Sequence, residues 1–112
     1  MAVKWTKSQR ESVQRVLSRH PIQSNRCENA ARSIVTIGRQ RDPAAQVWRL
    51  FPVEGIYVVP KVKVGPPYWR EHFTVEVDAH CVDALTKVDG SPRVSYLDEH
   101  WTETDALGWE PG

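Results

Sequence analysis

Cys27 stands at the start of an apolar helical pattern, and that placement suits a nucleophile. In Gln23-Ser24-Asn25-Arg26-Cys27-Glu28-Asn29-Ala30-Ala31, Asn25 followed three residues later by Glu28 reads as a capping box. Asn25 would be the N-cap and Cys27 the second helical residue, among backbone N–H groups without helical partners. The positive end of the helix dipole favours a thiolate there. A thiolate that attacks carbon needs a proton carrier, and His72 opens the alternating run His72-Phe73-Thr74-Val75-Glu76-Val77. Phe73, Val75 and Val77 take one face of such a strand; His72, Thr74 and Glu76 take the other. Asp78-Ala79 reads as a two-residue hairpin turn into Cys81-Val82-Asp83-Ala84-Leu85, although Ala is poorer than Gly at the second turn position. That register pairs Val77 with His80, Val75 with Val82, Thr74 with Asp83 and His72 with Leu85. Asp83 then shares a face with His72 one diagonal step away, within hydrogen-bonding reach. A three-residue turn would send Asp83 to the opposite face. Asp78 lies about 20 Å along the strand from His72, too far to be its partner.

The elements that must hold these residues follow from the flanking pattern. A first helix is predicted from about Ser8 to His20, capped by Thr6 and Gln9, with Val13, Val16 and Leu17 as its apolar stripe and Pro21 ending it. A second helix is predicted from Arg26 to about Arg39, burying Ala30, Ala31, Ile34 and Val35 and stopping before Gly38 or Asp42-Pro43. Gln46 to Phe51 reads as a strand or a short helix. Ile56 to Val59 and Val62 to Val64 read as strands, the first near an edge or bend because of Pro60. Lys87 to Pro92, with Asp89-Gly90, reads as a loop. Val94 to Leu97 with Trp101 is expected to add an edge strand or to pack as a cover, and 102–112 to be a loose tail.

Composition bounds the rest. At 112 residues, 40% of them hydrophobic, the chain can build one core and too little for two, so 1–112 is taken as a single domain. Fifteen basic against fourteen acidic residues give a formal charge of +1, which supplies no field for nucleic acid or an anionic membrane. No apolar run approaches the roughly 20 residues of a membrane span, and the N-terminus has no signal-peptide core, so the chain reads as cytoplasmic. Cys27 and Cys81 are then expected as free thiols. Cys81 beside His80 lacks zinc-ligand spacing, so neither a metal nor a cofactor is expected. Trp69, just ahead of His72, is expected to wall a substrate cleft, and Thr74, on the polar face of His72, is expected to contact the substrate with it. His20 and His100 read as helix-end and surface residues.

The order Cys27, His72, Asp83, with the cysteine at a helix start and the other two on a hairpin, resembles the papain-like fold of small bacterial cysteine enzymes. The likeness is to papain-fold toxin domains and related glutamine deamidases, and runs from about Gln23 to Thr86. It implies an α+β fold of two N-terminal helices on a small antiparallel sheet, a Cys27 nucleophile, a His72 proton carrier and an orienting Asp83. Gln23 lies upstream of the cysteine as the oxyanion glutamine does in papain-like enzymes, although the gap is shorter. The resemblance further implies amide hydrolysis or acyl transfer, with deamidation of a protein glutamine through a thioester as the first reading. It brings in a protein substrate, an immunity or adaptor protein as a partner, and delivery out of the cell as an effector. The chain departs from the toxin pattern by beginning at its own methionine, with no delivery domain. A cysteine peptidase of the same fold is one alternative, and a non-catalytic protein-binding module on that scaffold is another.

Overall fold

The computed structural model describes residues 2–20, 27–61 and 69–112. The chain order is α1 (Lys7–Arg19), α2 (Cys27–Arg41), β1 (Gln46–Pro52), β2 (His72–Val77), β3 (His80–Asp83), β4 (Lys87–Pro92), α3 (Arg93–His100) and β5 (Leu107–Pro111), with a short 3₁₀ turn, Thr104–Ala106, before β5. The class is α+β. One antiparallel sheet runs in the order β4-β3-β2-β1-β5.

Local chemistry accounts for the helices. At α1 the expected capping box forms: Thr6 Oγ1 accepts from the Gln9 N–H at 3.1 Å, and Gln9 Oε1 accepts from the Thr6 N–H at 3.0 Å. α2 runs two residues further than predicted, straight through Gly38. A Cβ there would sit 2.7 Å from Val77 Cγ2, so this glycine is where the helix backbone meets the sheet, not where the helix stops.

Alternation along β2 and β3 divides the core into two layers. Val75, Val77 and Val82 turn toward α1 and α2, where they pack with Val13, Ala31, Ile34 and Val35. On the other face Leu50, Val58, Cys81, Tyr96, Trp69 and Trp101 form a second cluster. Burying each large aliphatic side chain contributes on the order of 1.5–3 kcal/mol, so both layers are needed to hold a sheet of this size.

The β2–β3 hairpin has the two-residue turn: Val77 pairs with His80, Glu76 with Cys81 and Val75 with Val82. Asp78 and Ala79 both adopt left-handed backbone, at φ 52° and 60°, as a type I′ turn requires. The turn is clamped from outside its own strands. Arg41 pairs with the Asp78 carboxylate, and the Asp78 N–H donates to Asp42 Oδ2 at 3.1 Å.

Several expectations are corrected. The ladder ends at Val75–Val82, so the predicted pairs Thr74–Asp83 and His72–Leu85 do not form. Asp83 instead uses its own carboxylate to turn the chain, Oδ1 accepting from the N–H groups of Leu85 at 2.8 Å and Thr86 at 3.0 Å. Lys87 to Pro92 is strand β4 rather than a loop, because the reversal happens earlier, between Asp83 and Lys87. Gly90 is needed within that strand: a Cβ there would lie 3.1 Å from the Cys81 carbonyl oxygen. Val94 to Leu97 belongs to a helix, α3, so the helices are not all N-terminal. α3 does act as a cover, with Tyr96 fully buried and Val94 in solvent. The C-terminal tail is ordered as β5 beside β1, held further by the Gly112 N–H donating to the Val47 carbonyl at 2.8 Å. Trp109 supplies the contact that composition did not reveal, lying against Trp48 and Tyr96. Gln46 to Phe51 is a strand. Ile56 to Val59 is not; Val58 makes only an isolated bridge to Trp69. Val62 to Val64 lies outside the described residues. No described helix is long and apolar enough to cross a membrane.

Candidate active site

Cys27 is the first residue of α2, and the packing of that helix on β2 brings its tip to the open end of the hairpin. There β3 has already left the ladder, and the backbone N–H of Phe73 joins the His72 ring in favouring a charged sulfur at Cys27. The cavity beside the thiol is lined by α2 residues Ala30, Ala31 and Ile34, by Trp69, His72, Phe73, Val82, Asp83 and Ala84, and by His20 at the end of α1. Cys27 is partly exposed to it; both cysteines are free thiols. The cap expected at Asn25 and the oxyanion side chain expected at Gln23 lie outside the described residues.

His72 and Asp83 converge on one face of the hairpin although its ladder ends before reaching them. His72 Nε2 lies 3.1 Å from Asp83 Oδ2, with the two side chains 1% and 5% exposed. With Nε2 engaged, Nδ1 is the nitrogen left for the thiol. It is buried and, among the described residues, makes no hydrogen bond of ordinary geometry. The ring is fixed between aromatic walls, its centroid 5.5 Å from Trp69 and 5.0 Å from Trp101.

The charges of the three groups depend on one another. Burial opposes charge on the His72 ring, but the Asp83 hydrogen bond and negative charge outweigh it and the thiol adds to them, raising the pKa from 6.5 to about 9. Burial likewise opposes ionisation of Asp83, yet His72, with help from Thr74 and Tyr96, holds the carboxyl well below its ordinary range. For Cys27, burial pushes the thiol up, while the His72 hydrogen bond and charge, with the Phe73 N–H, pull harder and bring it below its ordinary value. Near neutral pH the imidazolium and the carboxylate are therefore favoured together, and the same His72 contacts draw the Cys27 thiol toward its thiolate. Cys81 is the contrast. It is fully buried, and desolvation with the charge of Asp83 pushes it up to about 12.

Trp69 reaches the cavity wall as anticipated. Thr74 does not. It is fully buried on the second layer, its hydroxyl donating to the Val82 carbonyl at 3.4 Å, and it is not among the residues that line the cavity. Tyr96 was not foreseen in this role. Its hydroxyl donates to Asp83 Oδ2 at 2.7 Å. With His72, Leu85 and Thr86 that gives the carboxylate four partners, filling its capacity as an acceptor. The sequence did carry a signal for α3: Pro92 directly before Arg93, with Ser95 and Glu99 at helical spacing. His20 was read as a plain helix end; it is the C-cap of α1 and also a cavity wall. Among the described residues no group of three or more His, Cys, Asp or Glu is arranged to hold a metal ion. Comparison with protein-family models, with curated proteins and with solved structures finds no match to this chain.

Proposed function

We propose that this chain is a papain-like, cysteine-dependent amidohydrolase that deamidates a protein glutamine through a thioester. The single observation that carries the reading is the meeting of Cys27, His72 and Asp83, from three separate elements, at one partly open cavity. A structural cysteine has no need of a charged imidazole backed by a saturated buried carboxylate. The Cys27 thiolate attacks the carboxamide carbon, forming the S–C bond while the carbonyl becomes an oxyanion. The Cys27 backbone N–H at the start of α2 is one donor to that oxyanion, and Gln23 is the side chain proposed as the second. His72 gives its Nδ1 proton to the departing nitrogen, the C–N bond breaks and ammonia leaves. Water then attacks the thioester, His72 takes its proton, and release of the carboxylic acid restores the thiolate–imidazolium pair.

The experiment is ammonia release from a panel of glutamine-containing peptides and denatured proteins, with mass spectrometry to locate amide-to-acid conversion. Activity in the native chain that vanishes in Cys27→Ala and in His72→Ala is the expected result. Peptide-bond cleavage dependent on the same residues would move the reading to a peptidase. Absence of any Cys27-dependent turnover, with Cys27→Ala retaining full biological effect, would leave a binding module.

A further inference from the structure

We propose that His20 is a substrate-binding residue, its Nδ1 accepting a hydrogen bond from the N–H₂ group of a neutral primary carboxamide presented to Cys27. The inference deepens the deamidase reading and rests on it. Three observations support it. First, His20 lines the same cavity as Cys27 and His72 although it comes from α1, which contributes no other cavity wall among the described residues. Second, its Nδ1 is buried and, among the described residues, makes no hydrogen bond; His80 Nε2 is also buried without a partner, but His80 does not line the cavity. A buried polar atom without a partner is costly, so a ligand that supplies one gains from it. Third, the backbone that carries the ring is fixed, the His20 N–H donating to the Val16 carbonyl at 3.1 Å.

The remaining walls select the chemical class. The side chains of Ala30, Ala31, Ile34, Phe73 and Val82 are hydrocarbon, which suits an uncharged aliphatic stem. The Cys27 N–H is a donor and matches the carboxamide oxygen, while the His72 Nδ1 proton serves the departing nitrogen. The carboxamide nitrogen needs an acceptor, and the oxygens of Asp83 are already filled by His72, Tyr96, Leu85 and Thr86. His20 Nδ1, in the tautomer with hydrogen on Nε2, meets that need. A carboxylate would bring no hydrogen to donate and a negative charge beside Asp83, so the product acid is held less well than the amide.

Two thiol reagents separate recognition of the amide from reactivity of the sulfur. Iodoacetamide carries a primary carboxamide and alkylates Cys27 with loss of iodide. Methyl methanethiosulfonate forms a mixed disulfide with loss of methanesulfinate and has no amide. The second-order rate constants for Cys27 are measured with both on the full chain, by mass spectrometry. In His20→Leu the iodoacetamide constant is expected to fall about tenfold, the scale of one lost hydrogen bond, while the methanethiosulfonate constant holds. In His20→Asn, whose Oδ1 can stand where Nδ1 stood, the iodoacetamide constant is expected to recover. An unchanged ratio of the two constants in His20→Leu would overturn the proposal. So would a parallel fall in both constants in His20→Leu protein with native circular dichroism, or a His20→Asn protein no better than His20→Leu. A wild-type Cys27 that reacts with both reagents no faster than a free thiol would instead count against the deamidase reading, a separate outcome.

Discussion

Tyr96 donates its phenolic hydrogen to Asp83 Oδ2 across 2.7 Å, the same carboxylate oxygen that faces His72. The hydroxyl and the imidazole therefore share one acceptor. Tyr96 both anchors the carboxylate from α3 and tempers its pull on the ring. In Tyr96→Phe that oxygen serves His72 alone, so the His72 midpoint is expected to rise above about 9. Loss of a buried hydrogen bond should also lower stability by about 1–3 kcal/mol. Titration of the His72 ring resonances by NMR, beside thermal melts, checks both. A drop in Tm with no movement of the midpoint would reduce Tyr96 to a packing role.

Asp83→Asn keeps the shape of the acid and removes its charge. An amide N–H₂ facing Nε2 forces that nitrogen to be the acceptor, so Nδ1 must carry the hydrogen in the neutral ring and can no longer take a proton from the thiol. Catalysis should fall by about 10²–10⁴-fold, with the His72 pKa dropping toward or below its ordinary value. The measurements are kcat/KM on the best glutamine substrate and the His72 titration. A variant that kept wild-type activity would remove Asp83 from the mechanism.

The raised pKa of His72 also predicts how stability varies with pH. Because the folded value, about 9, lies above the ordinary 6.5, the contribution is fully present below 6.5 and is lost as pH rises through about 9. Thermal melts between pH 7 and 10 should show this decline in the native chain and in Cys27→Ser, since Asp83 is the larger cause of the shift. His72→Asn should lose less stability over that range than either. Equal losses in all three proteins would contradict the charged state assigned to the ring.

Ala79 holds a left-handed conformation at φ 60° in the turn that sets the register of His72 against Asp83. Ala79→Gly relieves that strain and should stabilise the chain by about 1 kcal/mol without altering the site. Gly38→Ala is the opposite case. Its new methyl would meet Val77 at 2.7 Å and should cost about 1–3 kcal/mol from overpacking, partly offset by the better helix propensity of Ala. Denaturant unfolding of the two variants measures both signs.

Much of the site was legible because its spacing is local. His72 and Asp83 are eleven positions apart on one hairpin, and the strict alternation of β2 with a two-residue turn placed them on one face. The capping signals at Thr6 and Gln9 located α1 just as directly. What failed was non-local or disguised. β4 carried Asp89-Gly90, a turn dipeptide whose glycine is required by its left-handed backbone, φ 77°, and by the close approach of β3 rather than by a reversal. β5 shows no alternation strong enough to stand out and exists because β1 offers it an edge, with Trp109 packing on Tyr96 and Trp48. Tyr96 and His20 approach the site from elements distant in sequence, and no spacing rule connects either to Cys27. Thr74 was assigned to a ligand through its face alone; that face is covered by the layer that includes Tyr96 and Trp101.

The rate at which iodoacetamide alkylates Cys27 as a function of pH tests the central claim most directly, with Cys81 in the same molecule as the internal reference. A thiolate held by an imidazolium predicts fast labelling that sets in below the ordinary thiol pKa, depends on His72, and leaves the buried Cys81 untouched in the native fold. Labelling of Cys27 that follows the profile of a free thiol, unaltered in His72→Ala, would contradict it.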